Sequence, residues 1–185
     1  MTQSIRDRAD TIATFRWVSV HLMEMLARWV PSTPELEVKI LFGRHIWEFA
    51  QHGDALGRRT AELRAPLHFS LAPAKTYAAV LEELAQVKGT AERVHGLYQA
   101  IMPDLEARYH RYLTDTNPLL DEPSVRIIDR ILADLTRLRA DAAETLGQRS
   151  DLLMADPKWL ERLRTRALEV ASFVALRSGS VAEVV

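Results

Sequence analysis

The chain has 185 residues, 48% of them hydrophobic and 26% charged, which are the proportions of a compact domain and exclude disorder and collagen-like repeats. With 24 Lys and Arg residues against 25 Asp and Glu residues, the net charge of −1 gives no reason to expect nucleic acid as a partner. Because the sequence holds no cysteine, disulfides, thiolate metal sites and cysteine nucleophiles are excluded, and any metal must use His and carboxylate ligands.

The predicted elements are all helices. Glycine and proline are few, at 7 and 8 residues, and most prolines fall between long patterns in which apolar residues recur at three- and four-residue steps. These patterns predict helices over about 10–29, 34–63, 74–113, 123–147 and 157–177, with a kink or break near Pro103. We expect one all-α domain over residues 1–185, a four-helix bundle with an additional C-terminal helix. Its core spans about 10–177, and the tail 178–185 is expected to fray.

No stretch of the sequence approaches the roughly 18 uninterrupted apolar residues of a membrane span, and no apolar run follows the charges near residue 1. We therefore expect a cytoplasmic protein with no membrane partner.

The first two predicted helices differ in what their apolar faces contain. In the first helix His21 only flanks the apolar stripe, and Glu24 points further away. In the second helix His45, Glu48 and His52 fall within the stripe, at positions i, i+3 and i+7. The other members of that stripe are apolar: Val38, Leu41, Leu56 and Leu63. Because a buried carboxylate without a partner costs several kcal/mol, the second helix predicts a metal, an ion pair or a hydrogen-bond network.

The third predicted helix repeats this pattern with a single histidine. His95 and Tyr98 lie on its apolar stripe, and Glu92 lies at the edge. If this helix runs antiparallel to the second across the loop 65–73, His95 comes level with the three ionisable residues of the second helix. Two plainer readings stay open. A lone inward histidine is commonly hydrogen bonded to a backbone carbonyl, and a tyrosine at helical spacing is commonly part of the core.

The fourth predicted helix offers almost no ligand to such a site. Its stripe is apolar: Val125, Ile128, Leu132, Leu135, Ala142 and Leu146. Asp129 and Asp134 are rotated off that stripe, and only Arg139 among the charged residues is expected on the inner face. The pattern therefore predicts a His-rich site for one metal ion, with Glu48 as its main carboxylate.

Long helices with inward Glu and His resemble the ferritin-like superfamily of di-iron carboxylate proteins, over about residues 10–147. That family takes a Glu from each of two helices and a Glu-x-x-His pair from each of the other two. Glu92 and His95 match such a pair in this sequence, whereas Glu48 is followed three residues later by Gln51. On the fourth helix the comparable segment begins at Asp134 and ends at Arg137, where the family has its ligand His. His and carboxylate ligands suit iron, manganese, zinc or copper, and the resemblance favours iron or manganese as cofactor.

Two functions follow as hypotheses. The first is a metal-dependent oxidoreductase or oxygenase acting on an unidentified small molecule. Its metal ligands are His45, Glu48, His52, His95 and Glu92, with Glu48 and Tyr98 as catalytic residues. The second is a metal-free binding or accessory protein on the same scaffold, which holds a small ligand or a partner. Iron storage fits less well because the sequence lacks a dense carboxylate surface. Trp and Met residues on several helices favour a homodimer.

Overall fold

The computed structural model describes residues 3–175, and within that range the chain forms helices and no β-strand. The helices, numbered along the chain, are α1 (Ile5–Trp29), α2 (Leu36–Glu62), α3 (Lys75–Ala85), α4 (Thr90–His95), α5 (Met102–Asp115), α6 (Glu122–Gly147) and α7 (Pro157–Leu168). A π-helical turn, Gly96–Ile101, joins α4 to α5, and 3-10 turns occur at Val30–Ser32 and Ser150–Leu152. The predicted all-α class is confirmed. No helix in this described range is long and apolar enough to cross a membrane.

Four helical rods form the bundle: α1, α2, α6, and the continuous rod of α4, the π turn and α5. Short connections make α1 antiparallel to α2 and α5 antiparallel to α6. The rod that contains α4 runs parallel to α2, because Thr90 donates to Glu35 at 2.7 Å near the start of both helices and Tyr98 meets His45 at 2.7 Å further along. The four rods therefore run up, down, down and up.

The parallel arrangement requires a crossover, which α3 provides. Before α3 the backbone N–H of Leu71 donates to the carbonyl of Ala13 at 3.2 Å, and at its end the Trp29 indole donates to the carbonyl of Ala85 at 3.2 Å. The chain thus returns alongside α1 and reverses again over residues 86–89, with Gly89 as the N-cap of α4. The prediction of one helix over 74–113 was wrong, because the chain turns back within it.

The expected disturbance near Pro103 is a π-helical turn that immediately precedes α5. Proline has no N–H and cannot donate to the carbonyl four residues earlier, that of Gln99. The Arg164 guanidinium of α7 donates to this carbonyl at 3.2 Å. The rod therefore continues past the proline, with α7 packed against its π-helical turn.

The first helix ends at Trp29 as predicted but begins earlier, and the last helix begins at Pro157 as predicted but ends earlier. α1 begins at Ile5 because Ser4 and Asp7 form a reciprocal capping box, each side chain accepting from the other's backbone N–H at 3.1 Å. α7 ends at Leu168, where Arg108 donates to the carbonyls of Ala167 and Val170. Residues 169–175 are not helical. Residues 176 and 177 of the predicted last helix, and the predicted frayed tail, lie outside the described residues.

A fully buried carboxylate, Asp121, ties α2, α5 and α6 together at one end of the bundle. It accepts hydrogen bonds from Arg59 at 2.9 Å, Tyr112 at 2.6 Å, Thr116 at 2.8 Å and Ser124 at 2.7 Å. Burial alone would raise the pKa of Asp121, but these donors outweigh burial and leave the pKa below its ordinary value. The carboxylate is therefore ionised and its hydrogen-bonding capacity is satisfied within the protein. Its role is structural.

Candidate functional site

Two histidine–aspartate pairs lie between α2 and α6. His52 Nε2 lies 3.2 Å from Asp134 Oδ2, and His45 Nε2 lies 3.5 Å from Asp141 Oδ2. His45 and His52 are seven residues apart on α2, and Asp134 and Asp141 are seven residues apart on α6. Seven residues are almost two full turns, so the two histidines share one face of α2 and the two aspartates share one face of α6. The antiparallel packing of α2 and α6 brings the matching positions together.

Glu48 joins the first pair to form a compact cluster. Glu48, His52 and Asp134 each offer one ligand atom, and these three atoms lie within 4.8 Å of one another. Within residues 3–175 this is the one group of three or more His and carboxylate side chains with that geometry. The cluster is partly open, since His52 is buried while both carboxylates are half-buried. It could hold a metal ion at the edge of the bundle, between two helices.

Arg137 already supplies positive charge to this cluster. Its Nη2 lies 2.9 Å from Glu48 Oε1, within ion-pair distance, and donates to Asp134 Oδ1 at 3.1 Å. Burial alone would raise the pKa of Asp134, but hydrogen bonds from Arg137 and His52 lower it below the ordinary value. Burial lowers the pKa of His52, and the nearby Asp134 only partly offsets this, so the imidazole is neutral near pH 7.

His45 lies deeper in the bundle than the cluster. Its side chain is 1% exposed, and its Nδ1 lies 2.7 Å from the Tyr98 hydroxyl. Burial lowers the pKa of His45 to about 4, although the nearby Asp141 carboxylate raises it. The carboxylate near Nε2 favours the proton on that nitrogen, so the Tyr98 hydroxyl donates to Nδ1. At 3.5 Å the approach of Nε2 to Asp141 is too poorly aligned to count as a hydrogen bond.

The structure does not place the other predicted ligands in this cluster. His95 Nε2 donates to the backbone carbonyl of Leu152 at 2.9 Å, which is the core role left open by the sequence. Glu92 folds back against Gly89 at the start of α4, where its carboxylate occupies the space beside the glycine Cα. His21, which was expected only to flank the apolar stripe of the first helix, stacks on the Trp17 ring at 4.9 Å. The rod that contains His95 is parallel to α2. His95 therefore does not lie level with Glu48 and His52, as an antiparallel arrangement would have placed it.

The predicted inner face of α6 is confirmed at Ile128, Leu135, Ala142 and Leu146, which are buried, but the buried face is rotated from the predicted one. Ile131 and Leu138 are buried where Leu132 and Arg139 were expected, and Arg139 is exposed and pairs with Glu106 at 2.7 Å. This change of face brings Asp134 to the edge that meets α2.

The sequence pattern placed Asp134 off the inner face of α6, gave Arg137 no role in the site and did not identify Asp141. The shared seven-residue spacing, His45 to His52 on α2 and Asp134 to Asp141 on α6, could have identified the two aspartates.

A groove opens beside the cluster. It has a volume of about 430 Å³, lies between α2 and α6, and is lined by His52 and Asp134 together with Arg58, Arg126 and Arg130. A small molecule in this groove would reach the open side of the cluster. No family model, curated protein or solved structure matches the chain.

Proposed function

We propose that Glu48, His52 and Asp134 bind one divalent transition-metal ion, iron or manganese, and that the chain uses it as a metal-dependent oxidoreductase. The observation that carries this proposal is the convergence of one nitrogen and two carboxylate oxygen ligands within 4.8 Å. Small side-chain rotations bring such atoms to the roughly 2.1 Å bond lengths of a common ion. Imidazole with carboxylates is a donor set that suits both metals.

The protein groups around the ion would divide the work. Glu48 and Asp134 would balance its charge, and His52 would be the neutral ligand that metal binding requires. Three protein ligands leave coordination positions open toward the groove, where a small molecule would approach. When bound, the ion would supply Lewis-acid and one-electron redox chemistry. Tyr98 contacts His45 and not the cluster, so its contribution would be to hold the His45 ring.

The order of the helices supports a ferritin-like assignment of this bundle. Four rods that run up, down, down and up need one long crossover, and one crossover is the arrangement of ferritin-like folds. The ligands, however, come from only two helices, α2 and α6, and include two carboxylates. The proposal is accordingly a site for one ion, without His95 or Glu92.

A second candidate is a metal-free binding or accessory protein, and Arg137 is the observation that favours it. Arg137 follows Asp134 by three residues, where the ferritin-like pattern has a ligand His. Its guanidinium contacts both carboxylates and already neutralises the charge that a metal would neutralise. In this reading the groove holds a small ligand, and the cluster is a structural ion-pair network.

Metal content measured on protein purified without chelator, and again after anaerobic loading with Fe²⁺ or Mn²⁺, tests the two candidates. We expect about one equivalent in the wild type, loss in Asp134→Asn, and retention in the matched control Asp129→Asn, which changes an exposed aspartate on the same helix. Arg137→Ala should increase metal affinity because it removes the competing cation. Absence of metal from both the wild type and Arg137→Ala after loading would reject the metal proposal and favour the accessory reading.

A further inference from the structure

An apolar stripe runs along the outer face of α2, on the side away from the bundle. Leu36, Ile40 and Trp47 are 65%, 47% and 65% exposed. With Gly43 they follow one another at steps of four, three and four residues, so the four residues form one line about 16 Å long. Exposed apolar residues scattered singly are ordinary, whereas a continuous line of them on one helix indicates an interface.

The stripe is self-complementary in shape. If a second α2 lies antiparallel across it, with a two-fold axis between residues 41 and 42, Leu36 lies level with the partner's Trp47. Ile40 then lies level with the partner's Gly43. A Cβ added at Gly43 would meet no atom within 4 Å, so a hollow is available there for the branched side chain. Each large residue on one helix therefore meets either a hollow or a large apolar partner.

The charges beside the stripe are self-complementary as well. Glu37 and Arg44 lie on the same flank of α2, and a two-fold axis brings each flank against its own copy. In this register Glu37 lies within about 3 Å, along the helix axis, of the partner's Arg44. Arg44 makes no ion pair or hydrogen bond with any residue in the range 3–175, and Glu37 is half-exposed in its surface contact with Arg149. Two symmetry-related ion pairs, each between Glu37 of one copy and Arg44 of the other, would therefore form along this flank.

We propose that the chain forms a two-fold symmetric homodimer through antiparallel packing of α2 against the α2 of a second copy. The partner is a second copy because both the apolar stripe and the charges beside it are self-complementary when a second α2 lies antiparallel across the first. The site cluster lies on a different side of α2, toward α6. This inference holds whether or not the cluster binds a metal.

Sedimentation equilibrium of the purified chain tests the proposal over a series of concentrations. We expect a dimer whose dissociation constant rises by about 30-fold or more in Trp47→Ala, which is the usual effect of truncating a well-packed aromatic anchor. The matched control is Leu119→Ala, which removes a side chain that is 90% exposed but lies outside the stripe. A wild type that is monomeric throughout the series, or equal dissociation constants for the two variants, would overturn the proposal.

Charge reversal tests the register. Glu37→Arg and Arg44→Glu should each weaken the dimer, and the double variant should recover the wild-type dissociation constant because the pairs are re-formed with opposite sign. The double variant does not restore the contact between residue 37 and Arg149, so recovery points to the intermolecular pair. A double variant as weak as the two single variants would refute the antiparallel register.

Discussion

His45 should make the protein sensitive to acid. Its imidazole is 1% exposed, and burial lowers its pKa from 6.5 to about 4. The charged groups around it act in both directions: Asp141 and Glu48 raise the pKa, and Arg137 lowers it. Burial is the largest of these effects, so the folded protein holds a neutral ring that accepts from the Tyr98 hydroxyl.

The sign and size follow from the two pKa values. Above about pH 6.5 the imidazole is neutral in both the folded and the unfolded chain and contributes nothing to the pH dependence. Between about pH 6.5 and pH 4 the unfolded chain binds a proton at this position and the folded chain does not. The free energy of unfolding therefore falls by about 1.4 kcal/mol per pH unit, or about 3 kcal/mol over the range. His52, whose pKa burial also lowers, adds a loss in the same direction.

Urea unfolding measured from about pH 7 to about pH 4 checks this reasoning with the variant His45→Gln. Glutamine can still accept a hydrogen bond from Tyr98 but cannot be protonated, so its unfolding free energy should fall less steeply over the range. The matched control is His110→Gln, which removes an exposed histidine and should keep the wild-type slope. Carboxylate titration is common to all three proteins. Equal slopes for the wild type and His45→Gln would refute the argument.

Urea unfolding at neutral pH checks two further changes. Asp121→Asn should cost about 3–5 kcal/mol because it leaves the buried Arg59 guanidinium with only the exposed Glu62 as a charged partner, and a loss below about 1 kcal/mol would contradict the network's role. Gly96→Ala should cost about 1–3 kcal/mol because the new Cβ would lie 2.8 Å from the Trp159 ring. The control Gly147→Ala adds a Cβ that meets no atom within 4 Å, so it should change stability by less than about 1 kcal/mol, and equal costs would be unexpected.

Burial of the α2 histidines could be predicted from the sequence. His45 and His52 lie seven residues apart in a line that also contains Val38 and Leu56, and all four are buried. A 3.6-residue period needs no knowledge of partners to identify this face. Glu48, at the edge of the same face, is only half-buried. The sequence thus located the helix that carries the candidate site.

The position of His95 could not be predicted in the same way. Gln86 to Gly89 contains no proline and only one glycine, so the apolar period on either side reads as a single helix. The reversal there is stabilised by contacts distant in sequence, such as the Trp29 indole on the Ala85 carbonyl. The local spacing of apolar residues carries no information about such contacts. The reversal sets the direction of the rod that contains α4 and α5, and that direction decides which of its residues lie level with those of α2.

The orientation of α6 has the most direct consequence for function. Its sequence has two overlapping apolar lines, one through Ile131 and Leu138 and one through Val125 and Leu132. Because both lines share Ile128, Leu135, Ala142 and Leu146, the choice between them turns the helix by only roughly 35°, at about 100° per residue. Only packing against α2 and α5 decides between the lines, and the choice decides whether Asp134 faces solvent or His52. Ionisable side chains on two antiparallel helices can meet repeatedly only when their spacings match. The shared seven-residue interval is therefore evidence about orientation that the apolar pattern of either helix alone does not contain.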